Sequence, residues 1–129
     1  MKVLSTITNG IIIAAIGFIH VACTFLPRLY GRQFAHFSEF YFFKIGMDHE
    51  SFAAFWFFYF GLALILIGLL AHLLERETGA LKQSFIIPYS VFVVIGCYMI
   101  PYSGMTYFML PHALYMLIRS RMEARRRAG

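Results

Sequence analysis

Four apolar stretches separated by more polar segments run along this chain, and one of them determines how the others are interpreted. It runs from about Ser51 to Leu74, contains no Asp, Glu, Lys or Arg, and is followed by a charged cluster that begins at Glu75. A helix of this length, rising about 1.5 Å per residue, crosses a hydrocarbon core of roughly 30 Å. We therefore predict a membrane-spanning helix over residues 51–74.

Three further apolar stretches complete a predicted helix bundle. The first span covers about residues 3–26 and is expected to remain uncleaved. The third covers about 83–100 and the fourth about 105–118, where Pro111 is expected to introduce a kink. Backbone groups in lipid find no water to bond, so each span is predicted to be helical. The predicted fold class is all-α: an integral membrane four-helix bundle, with residues 1–129 forming a single membrane domain.

The segment of about residues 28–50, between the first two spans, is too charged to cross a membrane but is rich in aromatic residues. Its apolar side chains recur at helical spacing: Phe34, Phe37, Phe40, Tyr41 and Ile45. An amphipathic segment of this kind lies in the membrane–water interface. We therefore predict an outer loop that contains a short interfacial helix.

Small residues recur at three- and four-residue spacing along the first span: Gly10, Ala14, Gly17 and Val21. Small side chains on one helix face allow a neighbouring membrane helix to approach closely. The sequence therefore predicts that another helix packs against this stripe, next to His20.

Composition and charge agree with this class and indicate an orientation. Of 129 residues, 60% are hydrophobic and 13% are charged, whereas soluble domains carry about a quarter charged residues. The net charge is +5, and much of the excess lies in the basic tail 119–129, which is predicted to contact anionic headgroups rather than nucleic acid. Eight of the eleven Lys and Arg residues fall on the side that carries both termini. The protein is therefore predicted to be multi-pass, with both termini cytoplasmic.

Two histidines lie inside predicted spans, where ionisable residues are functional candidates. At 1.5 Å per residue, His20 lies about 9 Å below the outer end of the first span, and His112 lies about 10 Å below that of the fourth. We predict a pocket in the outer half of the bundle that binds an apolar or amphipathic small molecule or a lipid. Its candidate ligand-binding residues are His20, Phe55, Trp56, Tyr59, Tyr98, Ser103 and His112. The alternative is that each histidine only hydrogen-bonds a neighbour in the bundle interior.

Other functions are open at this point. Two imidazoles on different helices can hold a b-type haem, with His20 and His112 as axial ligands. A small proton-coupled transporter is a further alternative, although the first span lacks the carboxylate that such exporters use. The chain could also be an accessory membrane subunit or form a homo-oligomer. Catalysis is not indicated, because no motif places an activating base beside Ser103.

The two cysteines, Cys23 and Cys97, show no CxxC spacing, so neither a thioredoxin-like nor a zinc-ribbon pattern is present. Their similar predicted depth would allow a disulfide in an oxidising compartment. Two separate buried thiols are expected instead.

Several residues together resemble a known family. They are the run from Glu50 to Phe57 with Gly61 and Gly68, the sequence Gly17-x-x-His20, and the turn Pro101-x-Ser103-Gly104. These features span most of the chain and resemble a family of uncharacterised four-span bacterial membrane proteins, domain of unknown function 6463. The resemblance implies four spans and a location in the bacterial cytoplasmic (inner) membrane, and it implies no activity.

The resemblance also directs attention to the outer mouth of the bundle. It implies structural roles there for Glu50 and Gly104, and we expect Glu50 to accept a hydrogen bond from Ser103 or from loop backbone amides. Met105 follows Gly104 where the family often has a large aromatic residue. His112 has no counterpart in the family pattern, so the resemblance does not support the two-histidine haem site.

Overall fold

The structure, a computed structural model, describes residues 7–29, 31 and 49–128. Every regular element within these ranges is helical. The helices are α1 (Asn9–Thr24), α2 (His49–Thr78), α3 (Gln83–Met99) and α4 (Leu110–Ala128), and a π-helical segment, Met105–Met109, leads into α4. The all-α prediction is confirmed. The interfacial helix expected between residues 28 and 50 falls almost entirely outside the described residues.

Helix α2 is the element on which the membrane prediction depends. Among the described residues, it is the one helix that is long and apolar enough to cross a membrane, and α1 and α3 are apolar but shorter. Only 22% of its most apolar 18-residue window is buried. Side chains such as Leu66 and Leu70 are 59% and 58% exposed. Helix α2 therefore presents a largely apolar surface to its surroundings.

Two helices extend beyond the spans predicted from sequence. Helix α2 exceeds the predicted span 51–74 at both ends, and Gly79 follows it with a φ of +79°, a left-handed conformation that favours glycine. Helix α4 continues past Ile118 to Ala128, because no proline or glycine in this segment interrupts it. The described part of the basic tail is thus a continuation of the last helix.

The chain forms two compact units, Met1–His72 and Leu73–Gly129. In the first unit, α1 runs antiparallel to the first part of α2. The facing positions are Gly10 with His72, Ala14 with Gly68, Gly17 with Ile65, and Val21 with Gly61. A Cβ added to Gly68 would lie 2.7 Å from the Cα of Ala14, so the absence of side chains lets the two backbones touch. The predicted packing of a helix against the small-residue stripe is confirmed.

Thr8 links α1 to α2 at the N-terminus of α1. Its hydroxyl oxygen caps the helix by accepting a hydrogen bond from the Ile11 N–H at 3.3 Å. The same oxygen lies 2.6 Å from Nδ1 of His72. Because the oxygen accepts from Ile11, its proton is available to donate to an unprotonated Nδ1. Both polar groups are satisfied by this arrangement.

In the second unit, α3 packs against α4 and the π-helical segment. Their buried side chains are Ile86, Tyr89, Ser90, Val93, Met109, His112, Ala113 and Met116. The Met105 side chain occupies the space over Gly96 where a Cβ would stand. The connecting turn is closed by backbone bonds: the Ile100 N–H donates to the Gly96 carbonyl at 2.9 Å, and the Ser103 N–H donates to the Ile100 carbonyl at 3.2 Å.

Pro111 accounts for the π-helical segment. A proline inside a helix has no N–H to donate, and its ring clashes with the carbonyl four residues earlier, which here belongs to Tyr107. A wider turn relieves this clash, and the Leu110 N–H donates to the carbonyl of Met105, five residues back. The disturbance expected at Pro111 thus takes the form of a π-helical turn.

Candidate functional site

His112 is buried inside the second unit, with 7% of its surface exposed. Its Nδ1 lies 3.5 Å from the hydroxyl oxygen of Tyr89, whose ring meets the imidazole edge-on at a centroid distance of 6.1 Å. Its Nε2 is also buried and has no hydrogen-bond partner among the described residues. A buried polar atom without a partner costs about 1–3 kcal/mol. Nε2 is therefore an atom at which a bound polar group would be stabilising.

Two hydroxyl groups just before α4, one in the turn and one in the π-helical segment, are also buried without a hydrogen-bond partner among the described residues. Ser103 Oγ and Thr106 Oγ1 are buried, and neither has a hydrogen-bond partner within the part of the chain that the structure describes. Their backbones are joined, because the Thr106 N–H donates to the Ser103 carbonyl at 3.1 Å. Hydroxyls both donate and accept hydrogen bonds. Among the described residues of unit two, three buried polar atoms therefore lack a hydrogen-bond partner.

A negative charge, that of Glu75, acts on this site. The carboxylate of Glu75, in the same unit, interacts electrostatically with His112. An anionic group brought to Nε2 of His112 would experience this repulsion. The arrangement disfavours a ligand whose polar group is anionic.

His20 lies in the first unit, in an aromatic niche on α2. Its ring stacks on Phe57 at a centroid distance of 3.9 Å and an angle of 26°, and it meets Phe60 edge-on at 5.4 Å. Its Nε2 is buried and lacks a hydrogen-bond partner in the described ranges. His20 and His112 each present one such nitrogen, in separate units, and their shared haem stays a prediction.

Trp56 and Tyr59 belong to an exposed aromatic cluster on α2. Trp56 meets Phe52 at 5.9 Å, Phe55 at 5.5 Å and Tyr59 at 5.9 Å, all edge-on. Their exposed fractions are 51% for Trp56 and 52% for Tyr59. Among the described ring contacts, those of His20 are with other residues of α2. The structure therefore does not bring Trp56 or Tyr59 into ring contact with His20.

The remaining predicted site residues lie near the ends of the helices. Tyr98 is 88% exposed at the end of α3, and Glu50 is exposed at the start of α2. A Cβ on Gly104 would meet the ring of Phe108 at 3.8 Å, an ordinary contact. Glu50 and Ser103 belong to different units, and the expected hydrogen bond between them stays a prediction. The other expectation, a bond from loop amides to Glu50, concerns residues outside the description.

Neither a disulfide nor a metal cluster is present in the described ranges. Cys23 and Cys97 are both free and half-buried, as expected for two separate thiols. No group of three or more His, Cys, Asp or Glu side chains in these ranges is placed to hold a metal ion.

Sequence reasoning missed Tyr89, which contacts His112 and is only 8% exposed. A signal for it existed, because Ile86, Tyr89 and Val93 follow the spacing of one helix face. Thr106 was also missed, and its burial depends on the turn before α4, which the spacing of apolar residues does not predict.

Comparison with known protein families identifies a relationship for most of the chain. A family model described as Family of unknown function (DUF6463) matches residues 5–123. No curated protein matches the chain, and no solved structure matches it either. The matched range includes α1, α2, α3 and all the candidate site residues.

Proposed function

The chain belongs to the Family of unknown function (DUF6463), and on that premise we propose that it is a multi-pass membrane protein that binds an apolar or amphipathic small molecule or lipid. In this proposal the four helices span the membrane and both termini are cytoplasmic. The polar group of the ligand bonds to His112 Nε2, and the hydroxyls of Ser103 and Thr106 are further bonding positions.

Surface character supports the membrane part of the proposal. Helix α2 is long and apolar, yet most of its apolar window is exposed. Helix α3 likewise exposes Val91, Val94 and Ile95 at 53%, 55% and 53%. Continuous apolar surface of this extent is unusual on a soluble monomer. The glycine-mediated contact between α1 and α2 is also typical of membrane helices, since it relies on close packing rather than on exclusion of water.

The ligand-binding part of the proposal rests on the imidazole of His112. Its Nδ1 contacts the Tyr89 hydroxyl, whereas its Nε2 has no hydrogen-bond partner among the described residues. Tyr89 lies ten residues before Met99, the end of α3, so its level is about 15 Å from that end at 1.5 Å per residue. His112 contacts Tyr89, and in this proposal its imidazole lies near the level of the middle of α3. At such a depth bulk water is a poor source of hydrogen bonds. A ligand polar group at Nε2 recovers the energy that burial costs.

The test compares His112, whose Nε2 has no hydrogen-bond partner among the described residues, with His72, which is hydrogen-bonded to Thr8. In detergent-purified protein, native mass spectrometry measures bound small molecules, and titration with sodium dodecyl sulfate measures stability. We expect His112→Leu to lose the bound molecule while the ligand-free protein changes in stability by less than about 1 kcal/mol, because the unpaired Nε2 is removed but the Tyr89 hydroxyl loses its partner. The matched control is His72→Leu, which removes a satisfied histidine. It should keep the molecule and lose stability.

Two results would overturn the proposal. Equal ligand occupancy in wild type and His112→Leu would remove the binding site from His112. Release of the protein from membranes by alkaline carbonate would remove the membrane assignment. An absorption spectrum recorded on the same samples tests the haem alternative, since a Soret band would assign Nε2 to iron.

A further inference from the structure

We infer that the C-terminal part of α4 carries a binding surface for anionic phospholipid headgroups, with Arg121 and Arg125 as the residues that bind the phosphate. This surface is separate from the His112 site. It rests on the membrane insertion in the proposed function and not on the small molecule.

Arg121 and Arg125 share one face of α4 because they are four residues apart. Both side chains are exposed. On the same side of the helix, Ile118 and Met122 are 59% and 52% exposed. Toward the end of the helix this face reads Ile118, Arg121, Met122 and Arg125, so exposed apolar and basic side chains alternate along it. A lipid presents both an acyl chain and a phosphate, and long arginine stems can reach past neighbouring apolar side chains to the phosphate.

Arg119 differs from these two arginines, since its charge is already paired. Its Nε donates to Glu123 Oε1 at 3.0 Å, and its Nη1 donates to the Tyr115 hydroxyl at 3.2 Å. These residues line a shallow groove of about 390 Å³ beside the basic face. The uncompensated positive charge of the described segment 119–125 therefore lies on Arg121 and Arg125.

The chemistry of the two arginines matches a phosphodiester. A guanidinium offers several N–H donors in a planar fork that bonds two phosphate oxygens at once. Each basic residue near an anionic membrane surface contributes enough attraction that two together give a preference of about 30-fold over a zwitterionic lipid. This attraction is electrostatic, so it weakens as salt screens it.

The test measures lipid affinity in the full-length protein. Detergent-purified protein is titrated with phosphatidylglycerol or with phosphatidylcholine of identical acyl chains, and bound lipid is counted by native mass spectrometry. Wild type should prefer phosphatidylglycerol by about 30-fold, and Arg121→Gln with Arg125→Gln should abolish the preference. The matched control, Arg119→Gln with Glu123→Gln, removes one cation and one anion. It should retain the preference.

Each other outcome has a defined meaning. Persistence of the preference in the Arg121/Arg125 double variant, or its loss in the control, would overturn the inference. Displacement of the lipid by inorganic phosphate or by a single-stranded oligonucleotide would assign the arginines to a soluble anion or to nucleic acid and would also overturn it. A wild-type protein that stays in membranes under alkaline carbonate but binds both lipids equally refutes this surface alone. Release of the protein from membranes by alkaline carbonate refutes the membrane insertion on which this lipid-binding surface depends.

Discussion

Replacing Gly68 with alanine tests the contact between α1 and α2 directly. A Cβ at this position would lie 2.7 Å from both the Cα of Ala14 and the carbonyl oxygen of Gly10. Carbon atoms in favourable contact are about 3.5–4.0 Å apart, so α1 would have to retreat by about 1 Å. The obstructing atoms belong to the backbone and cannot rotate away.

Two opposing contributions, helix propensity and overpacking, decide whether Gly68→Ala raises or lowers the free energy of unfolding. Alanine is better than glycine inside a helix by about 1 kcal/mol. Overpacking costs about 1–3 kcal/mol, and a backbone obstacle places Gly68→Ala at the upper end of that range. The net expectation is a loss of about 2 kcal/mol, which corresponds to about a 30-fold change in the unfolding equilibrium.

The assay is reversible unfolding in mixed micelles of mild detergent and sodium dodecyl sulfate, followed by far-UV circular dichroism. The control is Gly104→Ala, where the added Cβ meets the Phe108 ring at an unstrained 3.8 Å and the φ of −57° suits alanine. This variant should be neutral or slightly stabilised. If Gly68→Ala is as stable as Gly104→Ala, the close approach of α1 and α2 is refuted.

Three further predictions use the same preparation. Thr8→Val should cost about 1–2 kcal/mol of unfolding free energy, because it removes the helix cap and the partner of His72; an unchanged transition would contradict these bonds. Glu123→Gln should cost less than about 1 kcal/mol, since its pair with Arg119 is exposed. Hydrogen bonds to Glu123 and Tyr115 raise the pKa of Arg119. The stabilisation that Arg119 contributes is therefore fully present at neutral pH, and it is lost only when the pH rises through the raised pKa in the strongly alkaline range. Trp56, the single tryptophan, should be quenched by brominated lipid, and quenching only by aqueous iodide would argue against membrane insertion.

How far sequence could predict the fold is seen at the α1–α2 contact. The small-residue spacing of Gly10 and Gly17 predicted that a helix approaches this face, and the structure confirms it. The spacing did not identify α2 as the partner or give the register between them. A stripe of small residues describes one surface, whereas register depends on both surfaces together.

The candidate site was predicted less completely because depth along a helix does not specify direction around it. His20, Trp56 and Tyr59 were grouped by similar depth, but a helix rotates by about 100° per residue. In the structure Trp56 and Tyr59 form part of an exposed cluster, and His20 stacks on Phe57. The pairing of His112 with Tyr89 required the relative register of α3 and α4, which depends on the turn and the π-helical segment between them.

His72 and His112 differ in how the folded chain satisfies their ring nitrogens, and only His112 supports the proposed binding function. His72 bonds to Thr8 at 2.6 Å, and Thr8 in turn caps α1, so the folded chain itself accounts for this histidine. His112 contacts Tyr89 through Nδ1 but leaves Nε2 buried and unbonded within the described residues. An apolar side chain at position 112 would avoid that cost of about 1–3 kcal/mol, but it would also leave the buried Tyr89 hydroxyl without this partner. A ligand that bonds to Nε2, as we propose, would satisfy both ring nitrogens and leave the contact with Tyr89 in place.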